Sequence, residues 1–372
     1  MIIKELNLKK FRNYEKLNIK FGKKINILVG NNAQGKTNIL ESIYVLAITK
    51  SHRTHLDSNL MKENNKYCKI NGIIKKDEQL DDSELEVLIN FKGKKVSIDK
   101  NPIKKISDYI SYFNVIVFHP GDLDIIKGAP NDRRRFLNIE IGQLDNKYFY
   151  VLNGYNAILK NRNEYLKRIT IDKYDKSYLD IITNQLVDYA IKLYNYRDKY
   201  IKDINKSIAK INKKIKGFDK LEIKYEPAIP LEESVDMRET LIAKYKACLP
   251  RDIVMTQTTI GPHRDDFVFW ANDKRIKEYG SQGQQRIAIL CLKFAEIELI
   301  KKEKGEYPIL LLDDIFSELD SNKCQSIINY LNKRMQIIIT TTDISMVENN
   351  ILKNASIFLV NNAEVQKIDN TI

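Results

Sequence analysis

The stretch Ile25-Asn26-Ile27-Leu28-Val29-Gly30-Asn31-Asn32-Ala33-Gln34-Gly35-Lys36-Thr37 decides the fold. Ile25–Val29 reads as a strand of the kind buried in a central sheet. Gly30–Thr37 matches G-x-x-x-x-G-K-[ST] in full. Ile39, Leu40, Ile43, Leu46 and Ala47 then recur at helical spacing. Strand, glycine-bounded loop and helix together aim backbone N–H groups at phosphate oxygens, which the helix N-terminus also favours. Gly30, Asn31, Asn32, Ala33, Gln34, Gly35, Lys36 and Thr37 are therefore the expected nucleotide-binding residues. Lys36 supplies a point charge to the β and γ phosphates, and the Thr37 hydroxyl is a ligand for Mg2+.

A second stretch completes this chemistry. Ile309-Leu310-Leu311-Leu312-Asp313-Asp314 is an apolar strand that ends in two carboxylates. A buried strand ending in this way sets Asp313 beside the phosphate loop as the second Mg2+ ligand. Asp314 is expected to orient the attacking water as general base, so Asp314, Lys36 and Asp313 form the expected catalytic set.

Outward from these stretches, the first residues alternate as strands, with Ile3, Leu6 and Leu8 followed by Leu17, Ile19 and Phe21. Residues 66–100 read as antiparallel strands at Tyr67–Ile74, Leu85–Phe91 and Lys95–Ile98. From Arg133 to Ile215 the period becomes helical. One helix is expected through Leu144, Tyr148, Leu152, Tyr155, Leu159 and Leu166. A second is expected through Ile182, Leu186, Tyr189, Leu193, Tyr196, Tyr200, Ile204 and Ile208, packed on the first as an antiparallel hairpin. After a strand at Leu221–Tyr225 and a helix at Val235–Leu249, strands and helices alternate to the end. That alternation predicts a mainly parallel sheet shared by the first and last segments. The expected organisation is an α/β P-loop NTPase with an inserted antiparallel helical lobe. Its boundaries fall at 1–130 for the N-terminal part of the ATPase lobe, 131–240 for the helical lobe, and 241–372 for the C-terminal part.

Ser281-Gln282-Gly283-Gln284 opens a further apolar-striped helix, whose first N–H groups form a second anion site. One phosphate loop and two anion sites in one chain suggest an active site shared across a dimer. This tetrapeptide resembles the signature of ABC ATPases in the shortened form of SMC-like repair heads. Ser317-Glu318-Leu319-Asp320 resembles their D-loop. Phe11-Arg12-Asn13-Tyr14, Phe118-His119-Pro120-Gly121-Asp122-Leu123, Arg133-Arg134-Arg135-Phe136-Leu137 and Gly261-Pro262-His263-Arg264-Asp265-Asp266 resemble the RecF family.

The resemblance covers essentially the whole chain. It implies an ABC/SMC-like ATPase head that uses ATP and Mg2+, dimerises with ATP, and meets the partner chain through Ser281–Gln284. It further implies binding to single-stranded DNA, double-stranded DNA and their junctions, in one pathway with RecR, RecO and RecA. Arg12 is expected at the nucleotide. Arg53, Arg133, Arg134, His263 and Arg264 are expected at DNA or phosphate. Two departures stand out: Asp314 occupies the position where the wider class has Glu, and Thr340-Thr341-Thr342-Asp343 falls where a switch His would stand. His119 and Asp122 both fit the Q-loop role.

Composition agrees with such a reading. The 372 residues carry 62 Lys and Arg against 49 Asp and Glu, a formal charge of +13, which suits phosphate backbones. The apolar runs are strand-length, short of the ~20 residues of a membrane span. The opening Met1-Ile2-Ile3-Lys4-Glu5 reads as a strand where a secretory leader would need an apolar core. Cys68, Cys248, Cys291 and Cys324 are unpatterned, as expected of reduced thiols in the cytoplasm. Two other readings share the nucleotide motifs: a transporter's nucleotide-binding subunit, and a DNA clamp that binds ATP without hydrolysing it.

Overall fold

The computed structural model describes residues 1–77, 79–169, 175–229, 236–314, 335–347 and 349–368. Two compact units divide the chain: Met1–Asp122 with Glu296–Ile372, and Leu123–Ala295.

The first unit holds two sheets, the buried helix α1 (Lys36–Ile48) and the single-turn helix α2 (Ile106–Tyr109). One sheet runs in the order β15-β14-β3-β13-β12-β8. Its strands are β3 (Ile25–Val29), β8 (Val115–Phe118), β12 (Ile309–Asp313), β13 (Ile337–Thr341), β14 (Ala355–Asn361) and β15 (Glu364–Ile368). All of its pairings are parallel except the β14–β15 hairpin. Strands from both ends of the chain thus share the sheet, as the alternation of elements predicts. The second sheet is antiparallel, in the order β2-β1-β4-β5-β6-β7. It contains β1 (Ile2–Phe11), β2 (Tyr14–Lys20), β4 (Tyr67–Lys75), β5 (Ser83–Asn90), β6 (Gly93–Ile98) and β7 (Asn101–Ile103). In β4 and β5 buried residues alternate strictly with partly exposed ones, so one face points inward.

Helix α1 touches strands of both sheets and is buried on nearly every side. Its sequence is accordingly apolar all round rather than striped. A Cβ at Gly72 of β4 would come within 2.4 Å of Leu46 Cδ2, so glycine leaves room for that side chain of the helix. Strand β8 is absent from the sequence expectations because four apolar residues carry no period that separates strand from helix.

The second unit opens with the single turn α3 (Asp124–Lys127) and is built on helices α4 (Pro130–Leu144), α5 (Lys147–Ile169), α6 (Lys176–Ile215) and α7 (Met237–Met255), followed by the single turn α8 (Ile276–Tyr279). A short sheet joins them, β11 (Lys274–Arg275), β10 (Asp266–Ala271) and β9 (Leu221–Glu226) in that order. The 40 residues of α6 extend about 60 Å. Its core stripe runs Leu179, Ile182, Leu186, Leu193, Ile204, Ile208 and Ile211, and it packs on α5 as the expected hairpin. Gly154 of α5 lets Tyr189 of α6 approach where a Cβ would meet it at 2.3 Å.

Two expectations shift. The helix expected from Leu144 is instead two helices, because α4 ends there and Asp145 accepts the Lys147 N–H at 2.9 Å to start α5. Residues 241–295 pack with the helical unit, whereas the expected boundary lay at 240. The reason is pairing: β10 is antiparallel to β9, and α7 lies against α6. Helix α9 (Gln282–Lys304) then carries the chain across the division at Ala295.

Candidate nucleotide site

Parallel pairing in the order β3-β13-β12 brings the C-terminal strand ends together, the usual place for a ligand in an open α/β sheet. Thr340 of β13 is in register with Leu28 on one side and Asp313 on the other. The glycine-bounded loop leaves β3 at this edge. Gly30 must lack a side chain, since its Cβ would fall 2.2 Å from the Val360 carbonyl. Gly35 adopts φ 112, and its Cβ would meet Tyr14 Oη at 2.7 Å and Asn13 Nδ2 at 2.8 Å. The β14–β15 turn holds the loop from one side, with Asn362 N–H donating to Gln34 Oε1 at 2.6 Å and Ala363 N–H to Gln34 O at 3.2 Å. The β1–β2 turn holds it from another, with Tyr14 Oη donating to Gly35 O at 3.2 Å.

Within this frame Lys36 Nζ donates to Gly30 O at 2.6 Å and to Asn31 O at 2.8 Å. Lys36 is only 7% exposed. Burial lowers its pKa, and the carboxylates of Asp314 and Asp313 act against that shift. Thr37 Oγ1 donates to Asp313 Oδ1 at 2.9 Å. Thr340 Oγ1 donates to the same oxygen at 2.7 Å and accepts the Asp314 N–H at 2.9 Å. The Thr37 hydroxyl and Asp313 carboxylate are adjacent hard oxygen donors, a set that fits Mg2+. Asp314 has φ 50, a left-handed conformation that turns the chain sharply after β12.

Sequence reading gave two residues here no role. Thr340 is a hydroxyl at the end of an apolar strand. Glu41 is a carboxylate inside the apolar helix α1 and is 0% exposed. Glu41 Oε1 accepts from Arg12 Nη2 at 2.6 Å and Ser51 Oγ at 2.5 Å, and Oε2 accepts from Arg12 Nε at 2.9 Å and Arg53 Nη1 at 3.1 Å. A charge inside an otherwise apolar helix is the signal that marks it. Arg12, expected at the nucleotide, is thus tied to Glu41 beside the loop. His119 and Asp122 bond to each other, the His119 N–H reaching Asp122 Oδ2 at 2.9 Å.

The signature segment lies in the second unit. Ser281, Gln282, Gly283 and Gln284 are all exposed. Ser281 N–H donates to Gln284 Oε1 at 2.9 Å, and Gln284 N–H to Ser281 Oγ at 3.3 Å, a reciprocal capping box. A Cβ on Gly283 would meet only Ser281 Oγ, at 3.9 Å, so packing within the chain does not demand glycine there. Ser317, Glu318, Leu319 and Asp320 lie outside the described residues.

The basic residues expected at DNA or phosphate divide. Arg133 is 4% exposed and bidentate on Asp266, Nε to Oδ1 at 2.6 Å and Nη2 to Oδ2 at 2.8 Å, so internal pairing replaces the expected phosphate contact. His263 is likewise enclosed, with Nδ1 2.7 Å from Tyr155 Oη and Nε2 3.0 Å from Thr258 O. Burial pushes its pKa down to about 4, so the ring is neutral near pH 7 and a poor phosphate partner. Arg134 donates to Asp265 O at 2.7 Å and is half-buried, whereas Arg264 is exposed. Within the Gly261–Asp266 segment, Asp265 Oδ2 also accepts from buried Arg197 at 2.9 Å.

Residues 2–366 match the family model described as the RecF/RecN/SMC N terminal domain. A Bacillus cereus (strain G9842) protein named DNA replication and repair protein RecF is 41% identical over 370 residues, 98% of each chain. A Bacillus cytotoxicus protein of the same name is 41% identical over 369 residues, again 98% of each. A structure titled as the recombination mediator protein RecF-ATP in the RecFOR pathway has a TM-score of 0.92 and 33% identity, covering 99% of this chain and 97% of that one. An Smc head domain from Pyrococcus yayanosii, at 14% identity and a TM-score of 0.55 over 99% and 97% of the two chains, shares the fold. With its phosphate loop, acidic strand end and ABC-like head fold in place along nearly its whole length, the chain belongs to the RecF family.

Proposed function

We propose that this chain is an ATP-gated DNA-binding protein of recombinational repair and replication restart, acting in the cytoplasm as an ATP-dependent homodimer. The observation that carries this reading is the convergence of Lys36, Thr37, Asp313 and Thr340 at one sheet edge. Gly30–Thr37 bind the phosphates of ATP, while Thr37 and Asp313 hold Mg2+, which neutralises charge on the phosphates. Asp314 orients the attacking water. Because its carboxylate is one methylene shorter than the Glu of the wider class, hydrolysis is slow; DNA binding stimulates it. Ser281–Gln284 meet nucleotide bound by the other subunit, a role supported by their exposure and by the unconstrained Gly283. Ser317–Asp320 act as the D-loop of the same interface.

Single-stranded DNA, double-stranded DNA and their junctions are the substrates of this switch, and RecR, RecO and RecA its pathway partners. The net charge of +13 supports the DNA reading, with Arg134 and Arg264 as half-exposed and exposed contacts. The test is sedimentation of the protein with ATP or ADP, with and without gapped DNA, beside Lys36→Ala. Dimer formation with ATP alone, enhanced by gapped DNA and lost in Lys36→Ala, is expected. A monomer under all conditions overturns the reading.

A further inference from the structure

Among the described residues, Glu41 accepts from two guanidinium groups at once, leaving one surplus positive charge at a carboxylate that is 0% exposed. The two arginines are held unequally. Arg12 is bidentate, its side chain 20% exposed, and its backbone N–H is fixed on Leu60 O at 2.9 Å. Among the described residues, Arg53 is bound through Nη1, to Glu41 Oε2 at 3.1 Å and Asn38 Oδ1 at 2.8 Å, with its side chain 41% exposed.

The cluster is coupled to the phosphate loop. Glu41 lies one turn beyond Thr37 on the same helix face. Asn38, which holds Arg53, donates its backbone N–H to Gly35 O at 3.0 Å and its side-chain amide to Asn13 Oδ1 at 2.9 Å. Ser51 closes the arrangement. Its hydroxyl donates to Glu41 and accepts the backbone N–H groups of Arg53 and Thr54 at 2.9 and 3.1 Å, fixing the turn that carries Arg53.

We propose that Glu41 is a positioning residue for the nucleotide site: it pre-orients Arg53 beside the phosphate loop, where the surplus charge is matched by a phosphate of bound ATP. This rests on the ATP-binding reading above. A guanidinium already aimed loses less freedom on binding than a free one, so its charge-assisted hydrogen bond is stronger.

Three variants separate position from charge. Glu41→Asp keeps the charge but withdraws the carboxylate by one methylene, Glu41→Gln keeps the length but not the charge, and Arg53→Ala removes the positioned group. Affinity for ATP is measured by fluorescence titration well below each variant's unfolding temperature, and affinity for gapped DNA without nucleotide is measured alongside. Glu41→Asp and Arg53→Ala are each expected to weaken ATP binding about tenfold, the worth of one charge-assisted hydrogen bond. The Glu41→Asp/Arg53→Ala double variant should be no weaker than Arg53→Ala, because Glu41 acts through Arg53.

Additive losses would make Glu41 merely structural and overturn the proposal. So would wild-type affinity in Glu41→Asp with tighter ATP binding in Glu41→Gln, since the carboxylate would then act only as a charge. Loss of DNA affinity with unchanged ATP affinity in Arg53→Ala would assign the surplus charge to DNA phosphate and equally overturn it. If both Glu41 variants unfold, Ser51→Ala, which frees the Arg53 turn, takes their place in the same cycle. Failure of the wild-type protein to bind ATP would instead sink the functional reading itself.

Discussion

The Thr340 hydroxyl donates to Asp313 Oδ1 at 2.7 Å while accepting the Asp314 N–H at 2.9 Å, so one side chain orients both acids at the end of β12. It does so from the neighbouring strand, where parallel register sets Thr340 opposite Asp313.

Thr340→Val keeps the β-branched shape but removes both hydrogen bonds. Groups that orient a metal ligand typically contribute 10–100-fold to affinity or activity. Thr340→Val is therefore expected to lower ATP turnover about tenfold or more and to raise the Mg2+ concentration needed for half-maximal rate. Stability should fall by about 1–2 kcal/mol, from the buried donor–acceptor pair lost. Steady-state hydrolysis across a Mg2+ titration checks this. An unchanged Mg2+ dependence would remove Asp313 from the metal.

Asp314→Asn retains shape and the backbone N–H bond to Thr340 but cannot take up a proton. Hydrolysis should fall by about 100-fold, the usual weight of a general base, while ATP binding persists. The variant should accumulate as a dimer with ATP, visible by light scattering. Wild-type turnover would move the base elsewhere, with Glu318 the next residue to substitute.

Ser281→Arg adds bulk and charge at an exposed helix start while leaving the phosphate loop intact. Each chain should still bind ATP with normal affinity, yet fail to dimerise and hydrolyse little. Mixing Ser281→Arg with Lys36→Ala pairs one intact phosphate loop with one intact signature, so partial recovery of dimer is expected. Wild-type dimerisation by Ser281→Arg alone would show that the site is not shared between subunits.

His263 gives the fold a calculable acid response. Its pKa is depressed from 6.5 to about 4 by burial, with Arg264, Arg134 and Arg197 adding to the shift and its bond to Thr258 O opposing it. The unfolded chain therefore binds a proton that the folded chain refuses. Stability from this group is complete above pH 6.5 and is lost as pH falls towards 4. The loss amounts to at most about 3 kcal/mol. Asp265, whose pKa burial raises despite Arg197, works in the opposite sense at the acid end. Denaturant unfolding between pH 7 and 4 should show a slope that His263→Gln flattens. An equal slope in the variant would place the acid sensitivity elsewhere.

The sequence alone determined the parts whose cause is local. Gly30–Thr37 had to form a tight loop between strand and helix because Gly35 takes a φ of 112, which favours glycine. The stripe along α6 had to form one face of a long helix, and Leu312-Asp313 had to end a buried strand. Tertiary structure decided what depends on residues distant in the chain. The partners of Glu41 come from the turn after β1 and from the turn after α1, and no period in the sequence reports such a meeting. Arg133 and His263 look like a basic run and a motif, yet Asp266 and Tyr155 enclose them from more than a hundred residues away. A side chain's charge is written in the sequence. Whether it faces phosphate or is already paired depends on which strands and helices the fold sets against it, because a buried charge must be paired and an exposed one need not be.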